Sequence, residues 1–202
     1  MRRIFIALAI ATLPWFALSE TYRDIGPLDT LGDVKAKFPN AQVKKLSPAW
    51  AQSTDALYQF TGPGLSGTII IKFTDARPEY KKDLETNANE ARTAPLQLLA
   101  NQTDDDALGV NWVRWVPEAP FPVQRLISKY GSPEVSAFSD EEYEPYRRWI
   151  RKGLTAFLAD DEKKVTRIDF LFTADDNRRA WMKKFNFVPD HLKEEVVPQK
   201  KK

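Results

Sequence analysis

The side chains that most often carry chemistry in proteins are scarce in this sequence, which contains no cysteine and a single histidine, His191. A chain without cysteine has no thiol nucleophile, disulfide, thiolate metal site or iron–sulfur cluster. A serine nucleophile would depend on His191 alone, which follows Pro189 near the charged end of the chain. No ordered set of nucleophile, base and acid surrounds it. We therefore predict a protein that is not an enzyme and that uses no cofactor and no metal.

Acidic residues form three clusters, at 104–106, 140–142 and 160–162. Two carboxylates that are held rigidly at a suitable separation can hydrolyse a glycosidic bond. All three clusters lie in predicted loops or turns, where Asp and Glu are usually solvated. We predict solvated loop charge, and a hydrolase that uses a carboxylate pair is the alternative.

Aromatic and basic side chains alternate in a predicted strand at residues 111–116. Successive side chains of a strand point to opposite faces, so Trp112 and Arg114 share one face and Trp115 lies on the other. An exposed tryptophan beside an arginine is typical of protein interfaces and also suits stacking on a sugar. These three residues are the first binding candidates. The alternative is that one of the tryptophans packs beneath the segment 95–99.

A second aromatic and basic group surrounds Trp149. Arg148 precedes it directly, and Tyr143 and Tyr146 lie close by in the sequence. Trp149 also stands 99 residues after Trp50, and equivalent places in a repeat favour a structural role in the core or at a sheet edge. Arg148 and Trp149 are further binding candidates, with the structural role of Trp149 as the alternative.

The first nineteen residues have the pattern of a secretory signal peptide. A basic start at residues 1–3 is followed by an apolar run at 4–18, and Ala17 and Ser19 are small residues of the kind that a signal peptidase recognises. The run is shorter than the roughly 20 apolar residues of a membrane-spanning helix. We predict cleavage, a periplasmic or secreted product, and no stable membrane insertion after cleavage. An uncleaved anchor that tethers an assembly factor is the alternative.

Loss of this segment removes Arg2 and Arg3 and brings the formal net charge from +2 to zero. A neutral protein has no overall field that attracts nucleic acid or an anionic membrane. The dense basic block at 200–202 stands at the end of the chain, where charge is usually solvated. We predict an unidentified protein partner and no nucleic acid.

A weak internal repeat with an offset of 99 residues organises the rest of the chain. The matching residues are Ile69, Ile71, Phe73 and Thr74 with Ile168, Phe170, Phe172 and Thr173. Both segments alternate as half-buried strands do. Each follows a turn and another short strand, at 56–60 and 153–158. Farther upstream an amphipathic helix is predicted in each copy, with Pro27 and Pro122 near the two starts.

This order of elements predicts an α+β protein made of two tandem helix-plus-antiparallel-sheet repeats after the signal peptide. We divide the chain into a signal peptide at 1–19, a first repeat with a helical and loop extension at 20–110, a second repeat at 111–188 and a charged, disordered tail at 189–202. In the extension, Pro95 is expected to interrupt any helix. The strand at 111–116 is either an extra strand of the first domain or a bridge between the sheets.

The second copy contains the run 149–157 (WIRKGLTAF), then 164–168 (KVTRI), after a predicted helix at 123–130 that is followed by Gly131, Ser132 and Pro133. These residues resemble the β-lactamase inhibitor proteins and the outer-membrane assembly lipoproteins. In those families a short helix pair precedes a three- or four-stranded antiparallel sheet, and the inhibitors carry tandem copies. The resemblance implies a binding or assembly role. The chain lacks the lipobox cysteine of the lipoproteins and the cysteine pairs of the inhibitors, so no functional residue is carried over.

These observations together predict an exported, non-enzymatic protein-binding or envelope-assembly module that docks its partner on the open face of its sheets. The alternative is an envelope carbohydrate-binding module or hydrolase. The predicted anchors are Trp112, Arg114, Trp115, Arg148 and Trp149.

Overall fold

A computed structural model describes residues 22, 24–46, 55–86, 90–102 and 108–193. This part of the chain combines helices with antiparallel strands, so the predicted α+β class is confirmed. The helices are α1 (Leu31–Lys37), α2 (Arg77–Thr86), α3 (Glu90–Ala100), α4 (Gln124–Tyr130) and α5 (Ala174–Phe185). The strands are β1 (Gln42–Leu46), β2 (Asp55–Thr61), β3 (Gly67–Asp75), β4 (Leu108–Pro117), β5 (Phe121–Pro122), β6 (Val135–Ser139), β7 (Glu144–Trp149), β8 (Leu154–Leu158) and β9 (Lys164–Leu171). The predicted signal peptide and the end of the predicted tail lie outside the described residues.

One antiparallel sheet runs through the whole described region. Its strand order is β1-β2-β3-β4-β9-β8-β7-β6, and the short β5 pairs with β9. Strand β4 lies at the centre and pairs with β3 on one side and with β9 on the other. Strand β4 is therefore not an extra strand at the edge of the first half. It bridges the strands of the two halves, which is the second of the two positions predicted for it. The predicted boundary between residues 110 and 111 falls inside this strand.

The two predicted copies have similar but unequal element orders. Helix α1 is followed in the described residues by three strands, β1 to β3, whereas α4 is followed by four, β6 to β9. A helix begins shortly after both β3 and β9. Trp50, the predicted counterpart of Trp149, lies outside the described residues. The tandem repeat stays a prediction.

The main hydrophobic core lies between one face of the sheet and helices α1 and α4. Leu31 and Val34 of α1 and Leu126 of α4 are buried against sheet residues such as Ile71 and Ile168. The side chain of Thr30 and that of Asp33 form a capping box at the start of α1, which satisfies two backbone donors and sets where the helix begins. The buried residues of α1 and α4 form an apolar stripe that faces the sheet, and the opposite, polar face of each helix is solvated.

A smaller hydrophobic cluster joins α2, α3 and α5. Tyr80, Leu96, Ala100 and Trp181 form its buried centre, and the Tyr80 and Trp181 rings meet edge to face at 5.5 Å. Pro95 lies inside α3, so the prediction that it interrupts a helix is wrong. A proline removes one backbone donor from the helix, and α3 nevertheless continues to Ala100, with the adjacent Leu96 buried.

Glycine is required at the start of β3. Gly67 has a φ of +143°, and a Cβ there would lie 2.2 Å from the carbonyl oxygen of Val116 in the neighbouring strand. Gly64, in the same turn, has a φ of +83° and open space around its Cα. A side chain at Gly67 would therefore clash with β4, whereas one at Gly64 would only strain the backbone.

We expect Gly67→Ala to lower the free energy of unfolding by about 3 kcal/mol and Gly64→Ala by about 1 kcal/mol. The difference measures the contact between β3 and β4, because both positions carry the backbone penalty. Urea denaturation of the two variants and the parent protein gives both values. Equal losses would contradict the close approach of the two strands.

The second cluster predicts a dependence on alkaline pH. Burial, together with the charges of Glu79 and Asp75, raises the pKa of Tyr80 to about 12. The folded protein therefore holds the phenol proton to higher pH than the unfolded chain, so the stabilisation is complete below about pH 10 and is lost as the pH rises towards 12. We expect this loss of stability to reach roughly 1 kcal/mol at pH 11 in the parent protein and to be absent in Tyr80→Phe. Tyr143→Phe, at a tyrosine that is 80 % exposed, is the matched control and should keep the full alkaline loss in denaturation experiments.

Candidate binding face

Strand β4 divides the predicted anchors between the two faces of the sheet. Val113 is buried in the main core, and Trp115 packs on the same side. The Arg114 guanidinium lies over the Trp112 ring at 5.4 Å on the opposite side. The predicted sharing of a face by Trp112 and Arg114 is therefore confirmed. We call the face that points away from α1 and α4 the distal face.

Two of the predicted anchors belong to the core side. Trp149 is 1 % exposed, and its indole Nε1 donates a hydrogen bond to the carbonyl oxygen of Gly131 at 2.9 Å. The Trp115 ring lies 5.9 Å from both Tyr22 and Phe121. The burial of Trp149 agrees with the structural role that is the alternative prediction for this residue. The prediction of Trp149 as an exposed binding anchor is wrong. Trp115 likewise serves the core, because the alternation of β4 directs it there.

Register brings the remaining candidates together with residues from three more strands. Arg114 lies opposite Asp169, Asp169 opposite Thr155, and Thr155 opposite Arg148, so one row crosses β4, β9, β8 and β7. A second row pairs Arg167 with Phe157 and Phe157 with Tyr146. We call the basic and aromatic members of these rows, together with Trp112, the arginine–aromatic cluster. It consists of Trp112, Arg114, Tyr146, Arg148, Phe157 and Arg167.

Arg114 is the best-held member of the cluster. Its Nε lies 2.7 Å from Oδ1 of Asp169 and its Nη2 lies 2.8 Å from Oδ2, which makes a two-point contact between β4 and β9. Its Nη2 also donates to Oε1 of Glu142 at 3.1 Å. Burial lowers the pKa of Arg114, but the hydrogen bonds and charges of Asp169 and Glu142 outweigh burial and raise it above the usual value. The guanidinium is thus fixed in position as a cation.

Arg167 stacks on an aromatic ring and binds acids at one end only. Its guanidinium carbon lies 3.9 Å from the centre of the Phe157 ring, and its side chain is 13 % exposed. Nη1 donates to Oε2 of Glu144 at 2.7 Å, and Nη2 lies 2.9 Å from Oε2 of Glu142. Nε is buried, and no acceptor meets it in the described part of the chain. This arginine therefore keeps donor capacity that its neighbours do not use.

Glu142 is the unexpected residue of this site. It belongs to the turn between β6 and β7, yet its carboxylate reaches Arg114 on β4, with β8 and β9 between them in the sheet. The turn at 140–143 therefore folds over part of the cluster. Glu142 is exposed in this turn, as predicted for 140–142, but its carboxylate also forms ion pairs with two partly buried arginines, which the sequence does not predict. Asp140 and Glu141 are exposed as predicted.

The outer part of the cluster is more accessible. Arg148 is exposed, its Nε donates to Oγ1 of Thr155 at 3.0 Å, and its guanidinium lies 5.2 Å from the centre of the Tyr146 ring. Trp112 is half-buried beside Arg114. Guanidinium groups over aromatic rings are attracted by the ring quadrupole. The distal face thus carries flat aromatic surface with fixed cations, which is suited to docking.

The sequence patterns do not single out Phe157, Arg167 and Asp169 as site residues. The alternation of β9, with Ile168 and Phe170 in the core, places Arg167 and Asp169 on the other face, so the signal was present. Their meeting with Arg114 depends on the pairing of β4 with β9. That pairing joins residues 55 positions apart and is not visible in a local pattern.

A cavity of about 230 Å³ lies apart from this face, beside α2, α5 and the adjoining ends of β3 and β4. Trp181 and Tyr80 form apolar walls, and Asn111 and Asn177 add amide groups. The Asn177 side chain donates to the carbonyl oxygen of Thr173 at 3.0 Å. None of the predicted anchors lines this cavity, which makes it a weaker candidate than the distal face.

Within the described ranges, no three His, Asp or Glu side chains are grouped so that they would hold a metal ion. No helix in that part of the chain has the length and apolar character needed to cross a bilayer. Comparisons with protein-family models, curated proteins and solved structures found no match to this chain. The function is therefore inferred from the residues of the site and not from similarity to other proteins.

We expect Asp169→Asn to lower the free energy of unfolding by about 2 kcal/mol, because it leaves Arg114 partly buried without its two-point acceptor. Asp160→Asn is the matched control, since Asp160 lies exposed in the turn between β8 and β9, and should change stability by less than about 0.5 kcal/mol. Thermal and urea unfolding measure both variants. Equal stabilities would show that the bridge between β4 and β9 contributes nothing.

Proposed function

We propose that this protein is a non-enzymatic binding module that docks a protein partner on the distal face of its sheet. The arginine–aromatic cluster is the observation that carries this proposal. Tryptophan, tyrosine and arginine are the residues that most often dominate the energy of protein interfaces. Here the members of the cluster, Phe157 included, come from four adjacent strands, so the surface is rigid before the partner arrives, and little conformational entropy is lost on binding.

The acidic residues of the site support docking over hydrolysis. Asp169 and Glu142 lie near Trp112, as a glycosidase pair would, but both carboxylates accept hydrogen bonds from Arg114. Glu144 is held in the same way by Arg167. Carboxylates that neutralise arginines are positioning groups, whereas glycoside hydrolysis needs an acid and a base that face a bound sugar.

The charge balance of the site favours a protein over a nucleic acid. Two arginines of the cluster, Arg114 and Arg167, form ion pairs with three acids, namely Asp169, Glu142 and Glu144. A nucleic-acid interface needs a clear excess of positive charge along a face to neutralise phosphates. The same balance lets a polar and aromatic protein surface approach without strong repulsion.

The remaining parts of the proposal come from the sequence. The pattern at 1–19 supports export to the periplasm or the medium. The offset of 99 residues supports an origin by tandem duplication, and the resemblance to inhibitor and assembly proteins supports a role in binding or envelope assembly. On this proposal β4 joins the two halves, and the partner contacts β4 and the strands β7 to β9, which carry the arginine–aromatic cluster.

We expect Trp112→Ala to reduce partner capture by about 10-fold, because it removes the aromatic surface beside Arg114. The immobilised protein is exposed to an envelope extract of its source, and bound proteins are quantified by mass spectrometry for parent and variant.

Phe138→Ala is the matched control for this experiment. Phe138 is 57 % exposed and pairs with Pro145 on the side of the sheet opposite to Trp112, so its loss should leave capture unchanged. Circular dichroism confirms that both variants are folded. Undiminished capture by a folded Trp112→Ala variant would refute the proposed docking face.

A further inference from the structure

Glu142 occupies a position that two arginines from different strands create. Its Oε1 lies 3.1 Å from Nη2 of Arg114, and its Oε2 lies 2.9 Å from Nη2 of Arg167. The other acids of the site, Asp169 and Glu144, belong to the strands β9 and β7. Glu142 alone is delivered by a turn. The sheet therefore supplies the receptor for this carboxylate, and the turn supplies the carboxylate.

Glu142 is a third acid shared by the two partly buried arginines. Arg114 contacts Asp169 and Arg167 contacts Glu144, and both arginines also contact Glu142. Arg148 is exposed, so its charge is solvated and does not enter this balance. When the turn moves away, the guanidinium donors that face Glu142 lose a carboxylate acceptor, and partly buried donors without an acceptor are costly.

The fit of Glu142 to this receptor is incomplete. Nε and Nη2 of Arg167 are buried, and in the described residues no acceptor has hydrogen-bond geometry towards them, although Nη2 is close enough to Glu142 for an ion pair. A carboxylate that meets an arginine through two parallel hydrogen bonds binds it more strongly. Glu142 cannot do this for Arg167, because its other oxygen already serves Arg114.

The turn that carries Glu142 is accessible and weakly held. The Glu142 side chain is 38 % exposed, and the next residue, Tyr143, has a φ of +54° and is 80 % exposed. Ion pairs with a solvent-exposed member contribute little to stability, and a non-glycine residue with positive φ adds local strain. Displacing this turn therefore costs little free energy.

We propose that Arg114 and Arg167 form a carboxylate-binding subsite, in which Glu142 stands in for an Asp or Glu side chain of the protein partner and is displaced by it. This inference rests on the proposed function and specifies what the partner presents to the distal face. A partner carboxylate offers Arg167 the two-point contact that Glu142 lacks.

A single carboxylate fits this subsite better than a phosphate group. Asp169 and Glu144 stay beside the arginines after Glu142 leaves, since both are held on strands. Both acids repel a doubly charged phosphate more strongly than a singly charged carboxylate. The half-buried ring of Trp112 lies beside Arg114 and suits the peptide chain next to an acidic residue.

Titration with a capped hexapeptide that contains a single Glu among Ala and Gly residues, followed by nuclear magnetic resonance, tests the subsite. Glu142→Gln removes the internal competitor without changing its size, so we expect it to bind the peptide about 10-fold more tightly than the parent protein. The Nε–Hε signal of Arg167 should shift on binding. Glu141→Gln, the matched control, removes the same charge from a neighbouring exposed residue and should bind as the parent does.

Further variants and probes test whether the gain in affinity depends on Arg167 and on a carboxylate group. Arg167→Lys in the Glu142→Gln background should abolish the gain, because lysine cannot make the two-point contact. The same peptide with Gln in place of its Glu should not bind, and inorganic phosphate should bind more weakly than the Glu peptide. Equal affinities for Glu142→Gln and Glu141→Gln would overturn the proposal, and so would tighter binding of phosphate.

Glu142→Asp covers the case in which the glutamine variant fails to fold. Its carboxylate is one methylene shorter and cannot keep both arginine contacts, so the gain should be intermediate. An affinity equal to that of the parent would again overturn the subsite. Failure of the peptide to bind leaves the capture experiment with Trp112→Ala untouched, so the subsite and the docking face are tested separately.

Discussion

The pairing of β4 with both β3 and β9 is the constraint on which the rest of this structure depends. It joins strands from the two halves of the sequence into one sheet, and it sets Arg114 opposite Asp169. Gly67 permits the close approach of β3, and the two-point ion pair holds β9 in register. Without this strand each half would present an unpaired edge, and the arginine–aromatic cluster would lose Trp112 and Arg114.

The two faces of the sheet divide structural work from functional work. The core face is apolar and covered by α1 and α4, so its energy comes from burial. On the distal face, Arg114 and Arg167 bring cations close to aromatic rings, and each cation is held by an acid. Such a network contributes little net stability compared with apolar residues of similar size. Its presence on this face is therefore better explained by recognition of a partner than by stability. Glu142 completes this network from the turn between β6 and β7, and the proposed displacement of this turn would open the network to a partner.

Much of the fold follows from local patterns, and the exceptions have identifiable causes. Alternation predicts β2, β8 and β9 and the faces of Trp112 and Arg114, because burial of one face imposes a period of two. A bulge at Asn111 then shifts the register of β4 against β3, which places Val110 and Val113 together in the core. Pro95 lies inside α3, although proline usually ends or kinks a helix. Neither effect is encoded in the neighbouring residues alone.

The sequence by itself determined which chemistries are absent, the α+β class and the assignment of Trp112 and Arg114 to a common face. These properties depend on residue inventory and on the short periods of helices and strands. Only the tertiary structure decided that Trp149 is buried, that Arg167 and Asp169 join Arg114, and that Glu142 bridges two arginines. Such contacts join residues 23 to 55 positions apart, and their formation depends on strand order and register across the whole sheet.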